Sequence, residues 1–81
     1  MHEVKLVGSL RDAVGGAASV TIEAATIREL FRHLAERYPK IQHHIEAGIA
    51  VSINGEIYRD NWDELIPDGA EVFLLQRIEG G

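Results

Sequence analysis

Residues 26–39 read Thr26-Ile27-Arg28-Glu29-Leu30-Phe31-Arg32-His33-Leu34-Ala35-Glu36-Arg37-Tyr38-Pro39, and this stretch decides the architecture. Ile27, Leu30, Phe31, Leu34, Ala35 and Tyr38 recur with the period of a helix and form one apolar stripe, while Arg28, Glu29, Arg32, Glu36 and Arg37 fall on the wet side. Thr26 and Glu29 stand at capping-box spacing, so the hydroxyl and the carboxylate can each accept from an orphan backbone N–H. Pro39 cannot continue the hydrogen-bond ladder and pushes Tyr38 out of helical geometry, which ends the helix. The result is a helix of about three turns with one face to bury, enough to cover one face of a sheet.

Strand patterns lie on both sides of it. Upstream, Glu3-Val4-Lys5-Leu6-Val7-Gly8 and Ser19-Val20-Thr21-Ile22-Glu23 alternate polar and apolar, which predicts strands burying Val4, Leu6, Val20 and Ile22. Ser9 to Ala18, with Gly15-Gly16, makes a loose hairpin connection in which Leu10 to Val14 forms a short helical turn. Downstream, Ile49 to Ile53 is a strand, Asn54-Gly55 suits a tight turn at positive φ, and Glu56-Ile57-Tyr58 returns. Asp60 to Ile66 is a loop anchored by Trp62, and Pro67-Asp68-Gly69 is turn chemistry. Glu71-Val72-Phe73-Leu74-Leu75 is nearly continuously apolar, the pattern of a central strand covered on both faces. The order ββαβββ, one helix on a mixed sheet, predicts a two-layer α+β domain over residues 1–81. A hairpin, a right-handed crossover helix and a last strand parallel to the first would make it a β-grasp.

Composition removes several classes of function. There is no cysteine, which excludes disulfides, thiolate metal sites and a cysteine nucleophile. Eight basic against thirteen acidic residues give a net charge of −5 without a basic cluster, which disfavours nucleic-acid binding. No apolar run approaches the roughly 20 residues needed to span a bilayer, and no charged-then-apolar leader opens the chain, so a cytoplasmic protein is expected. The histidines His2, His33, His43 and His44 converge on no metal-ligand spacing and are expected on the solvated surface, with His43-His44 in a loop. Asp60, Asp63 and Glu64 lack the spacing of a calcium loop. No phosphate loop, nucleophile set or paired carboxylates mark an active site.

After Leu75 the sequence continues Gln76-Arg77-Ile78-Glu79-Gly80-Gly81. Such a tail, residues 76–81, is expected to project flexibly from the domain, and six nearly extended residues reach on the order of 20 Å. Two glycines without a Cβ can pass a channel too narrow for side chains. Together with Leu10-Arg11-Asp12-Ala13-Val14-Gly15, Ser52-Ile53-Asn54-Gly55-Glu56 and Pro67-Asp68-Gly69-Ala70-Glu71-Val72, this ending resembles the MoaD/ThiS family of ubiquitin-like sulfur carriers over essentially the whole chain.

The resemblance implies a β-grasp fold and a non-enzymatic carrier that binds no cofactor of its own. In that family an E1-like activating enzyme (MoeB/ThiF-like) uses ATP to adenylate the terminal carboxylate, and sulfur then replaces AMP to give a thiocarboxylate. A sulfur-accepting synthase subunit (MoaE-like or thiazole synthase-like) takes the sulfur, for molybdopterin in the closest match and thiamin next. Carried to this chain, Gly81 is the modified residue and Gly80 its flexible neighbour, with Arg77, Ile78 and Glu79 completing the tail. Glu79 departs from the small residue usual at that place, which bears on which activating enzyme accepts the tail. If Val72 and Leu74 face the helix, Phe73 and Leu75 emerge on the opposite sheet face beside Val7, a docking patch for the partner. The same tail could instead form isopeptide bonds as a protein modifier, or the sheet face could serve a plain interaction module.

Overall fold

The structure, a computed structural model, describes residues 1–76. The two alternating N-terminal segments form β1 (His2–Leu6) and β2 (Ser19–Ile22), joined through a 3-10 helix at Gly8–Val14. The apolar stripe becomes α1 (Ile27–Arg37), followed by α2 (Ile41–Ala47), β3 (Ile49–Ile53), β4 (Glu56–Tyr58) and β5 (Val72–Gln76). The sheet order is β2-β1-β5-β3-β4. β1 runs antiparallel to β2 and parallel to β5, and β5 and β4 both run antiparallel to β3. The last strand lies parallel beside the first with the helix as crossover, which is the β-grasp arrangement.

The start of α1 accounts for its orphan donors one by one. Thr26 Oγ1 accepts from Glu29 N–H at 3.2 Å, and Glu29 Oε1 accepts from the N–H of Ala25 at 2.9 Å. Ile27 N–H donates to Glu64 O at 3.2 Å and Arg28 N–H to Trp62 O at 2.8 Å. The loop after β4 is therefore strapped across the helix N-terminus, and the N–H groups of Ile27, Arg28 and Glu29, which the helix leaves open there, each have a partner. Trp62 anchors that loop, its ring meeting Phe31 edge-on at 5.0 Å between centroids. Ile27, Leu30, Phe31 and Leu34 of α1 are buried with Val4 and Leu6 of β1, Ile49, Val51 and Ile53 of β3, and Val72 and Leu74 of β5. The Asn54-Gly55 turn has φ of 51° and 87°, the backbone that a two-residue hairpin requires.

Four expectations need correction. The ββαβββ order omits α2, because Ile41 and Ile45 supply only one i,i+4 pair of buried side chains, too short a repeat to stand out beside the α1 stripe. His43 and His44 accordingly lie on a helix rather than in a loop. His2 is not on the surface: strand alternation puts it on the core face with Val4 and Leu6, 3% exposed, its Nε2–H donating to Ala24 O at 2.9 Å. β5 is central, but Phe73 and Leu75 remain half-buried because the helices all pack on one side of the sheet. The strand buried at every position is β3, where small Ala50 and Ser52 on the open face pair with Leu75 and Phe73 and shelter beneath them.

Candidate functional site

The open face of the sheet is built by register. Lys5 pairs with Phe73 across the parallel β1–β5 ladder, and Phe73 and Leu75 pair with Ser52 and Ala50 of β3. Ser52 in turn pairs with Ile57 of β4. Directly opposed residues on one face sit within about 5.5 Å at Cβ, so these side chains form one continuous surface. Val7, one residue beyond β1 and still extended, keeps the alternation and is 42% exposed; Ile57 is 52% exposed. Phe73, Leu75, Val7 and Ile57 thus make an apolar strip across three strands and the end of a fourth.

Polar groups border the strip. Lys5 Nζ lies 5.3 Å from the centre of the Phe73 ring and 3.9 Å from Glu71 Oε2. Both partners of that ion pair are well exposed, so its worth is at most about 1 kcal/mol. Glu3 Oε2 accepts from Ser19 Oγ at 3.3 Å. On the other side of the hairpin Tyr58 donates its hydroxyl proton to Glu56 at 2.6 Å. That bond holds the proton on the phenol and, with the negative charge of Glu56 and Glu64 nearby, pushes the Tyr58 pKa up to about 12.

Sequence reasoning placed Phe73, Leu75 and Val7 on this face and missed Ile57, Ala50, Ser52 and Lys5. The signal for Ile57 was present: a two-residue Asn54-Gly55 turn fixes the pairing of Ile57 with Ser52 and hence its face. The tail residues Arg77, Ile78, Glu79, Gly80 and Gly81 lie outside the described residues. β5 ends at Gln76, so the strand that carries Phe73 and Leu75 leads directly into them in sequence. Among the described residues no group of three or more His, Asp or Glu side chains could hold a metal ion. No helix among them is long and apolar enough to cross a membrane.

Solved structures of this fold are numerous. The chain superposes on the structure of the Amycolatopsis orientalis BexX/CysO complex with a TM-score of 0.78 at 24% identity, covering 98% of each chain. A putative molybdopterin converting factor, subunit 1, from Pyrococcus furiosus gives 0.78 at 23% identity, covering 94% of this chain and 95% of that one. The small archaeal modifier protein SAMP1 from Methanosarcina acetivorans gives 0.78 at 23%, covering 98% and 94%. At these identities the likeness establishes the ubiquitin-like β-grasp fold. No curated protein matches the sequence. The family model of the ThiS family, however, matches residues 4–81, from the middle of β1 through Gly80 and Gly81. The chain belongs to the ThiS family of small ubiquitin-like sulfur carriers.

Proposed function

We propose that the chain carries sulfur as a thiocarboxylate on Gly81, formed in the cytoplasm by an E1-like, MoeB/ThiF-like activating enzyme that consumes ATP. An α-carboxyl group has a pKa of about 3.5, so at neutral pH Gly81 presents a carboxylate that needs no general base. Its oxygen attacks the α-phosphorus of ATP and pyrophosphate leaves. A sulfur nucleophile supplied by the partner then attacks the acyl carbon of the mixed anhydride, and AMP departs with the bonding pair. The chain itself contributes no cysteine to this sequence of steps. Its contribution is the handle and the grip.

The observation that carries the reading is the family match through residue 81 on a chain whose last strand bears Phe73 and Leu75 half-exposed on the open face. Apolar side chains immediately before the tail can seat an enzyme surface and bring Gly80 and Gly81 to its active site, with Val7 and Ile57 widening the contact. Arg77, Ile78 and Glu79 would follow in the approach, where the Glu79 carboxylate favours a partner with a cationic or wet channel. The sulfur acceptor would be a synthase subunit, MoaE-like or thiazole synthase-like, with molybdopterin formation the first pathway to test and thiamin the second.

Incubation with the cognate activating enzyme, ATP and a sulfur donor should raise the intact mass by the difference between sulfur and oxygen. Deletion of Gly80 and Gly81 should abolish the gain, and an unchanged mass for the full chain with its cognate enzyme refutes the proposal. A second reading rests on the same fold in an archaeal modifier protein. A lysine amine could displace AMP from the same adenylate, leaving isopeptide conjugates that survive denaturing gels. Were the sheet face an interaction module only, partner binding would survive loss of both glycines.

A further inference from the structure

The sheet ends at β4 on one side and at β2 on the other. An edge strand offers unpaired N–H and C=O groups as a template for another chain. β4 has three residues, and the Ile53–Glu56 pair closing its hairpin leaves only Ile57 with outward backbone groups. β2 is the longer edge. Leu6 N–H donates to Ala18 O at 2.9 Å, which makes 6–18, 4–20 and 2–22 the hydrogen-bonded pairs of the β1–β2 ladder. The backbone groups of Ser19, Thr21 and Glu23 therefore point away from β1, where a further strand would bind.

Two of those three carbonyls are occupied. Arg37 Nη1–H donates to Thr21 O at 3.1 Å, and His33 Nδ1 is hydrogen-bonded to Glu23 O. The spacing explains the match. Residues 33 and 37 are one helical step of four apart, about 6 Å of rise, and the two carbonyls are two strand residues apart, about 6.7 Å. Since α1 runs back along β2, the higher helix number meets the lower strand number. A carbonyl only accepts, so the His33 nitrogen facing Glu23 carries a proton whether the ring is neutral or charged. Arg37 is charged throughout.

We propose that Arg37 and His33 guard the β2 edge and prevent a second copy of this chain from pairing there, strand to strand, into a continuous sheet. Their removal would bare a self-complementary edge, on which two copies of β2 could pair antiparallel about a two-fold axis. With β4 too short to serve, association is directed to the apolar sheet face. The guard is independent of any reaction at Gly81.

The test is sedimentation velocity of the full-length chain and its Arg37→Ala/His33→Ala variant over a range of concentrations. The variant should shift from the monomer to the dimer boundary where the unaltered chain stays monomeric. Arg37→Ala alone, which frees only the Thr21 carbonyl, should shift less. Adding Thr21→Pro removes one outward N–H, a change an edge strand tolerates, and should return the double variant to monomer. A double variant that remains monomeric with an unchanged circular dichroism spectrum overturns the proposal. So does association that survives Thr21→Pro, or an unaltered chain that already dimerises until Thr21→Pro is introduced.

Discussion

Leu74 and Phe73 are neighbours in sequence with opposite duties, and truncating each to alanine tests the whole register of the central strand. Leu74 is 0% exposed, between β1 and β3 and facing the helices. Removing a fully buried leucine side chain costs its transfer energy plus the cavity left behind, within a range of about 2–5 kcal/mol. We take about 3 kcal/mol for a site enclosed on both sides by strands. A chain of this size is stable by only on the order of 4–12 kcal/mol, so the loss is a large fraction of the total. At about 4–8 °C per kcal/mol for a domain this small, the melting temperature should fall by roughly 12–24 °C. Phe73 is half-buried on the open face, so Phe73→Ala forfeits about half of an aromatic burial, about 1 kcal/mol, and the exposed Lys5 contact, under about 1 kcal/mol. Trp62 is the only tryptophan and packs on Phe31, so its fluorescence during urea unfolding reports the core directly. The midpoint should drop roughly one and a half to three times further for Leu74→Ala than for Phe73→Ala. Equal losses, or a larger loss at Phe73, would mean that the strand is one residue out of register and would refute the assigned docking face. In the activation assay the ranking should reverse, with Phe73→Ala slowing thiocarboxylate formation while Leu74→Ala, below its melting temperature, leaves it near normal.

Thr26→Ala should cost about 1 kcal/mol, because Glu29 N–H loses its acceptor at the start of α1, and Thr26→Ser should restore most of it; chemical denaturation distinguishes the two. Glu56→Gln should bring the Tyr58 ionisation down from about 12 toward the ordinary phenol value near 10, read by ultraviolet absorbance of the phenolate. The sign follows from the raised pKa: the Tyr58–Glu56 bond supports the fold fully below about pH 10 and is lost as pH climbs toward 12, so the variant should show a flatter alkaline stability profile.

How much of the site could be read from the chain varies with the range of the interactions. The faces of Phe73 and Leu75 followed from a period of two once Val72 and Leu74 were assigned to the core, and Ile57 was determined by a turn of two residues. Their assembly into one strip was not legible, since it depends on β5 inserting between β1 and β3, strands that end at Leu6 and Ile53 while β5 begins only at Val72. The same holds for the guard. His33 and Arg37 stand out in the sequence only as the polar side of a helix, and their carbonyl partners appear when α1 is laid back along β2.

Local chemistry was thus sufficient for the capped helix of residues 26–39, the Asn54-Gly55 hairpin, the strand alternation and the absence of any thiol, because each depends on side chains a few positions apart. The tertiary structure alone decided that His2 is buried against Ala24, that Ile41 to Ala47 coils into a second helix over the core, and that β3 rather than β5 is covered throughout. Those outcomes turn on which distant strands become neighbours and on which side the helices pack. Packing of that kind is a property of the closed chain, and no short window of sequence contains it.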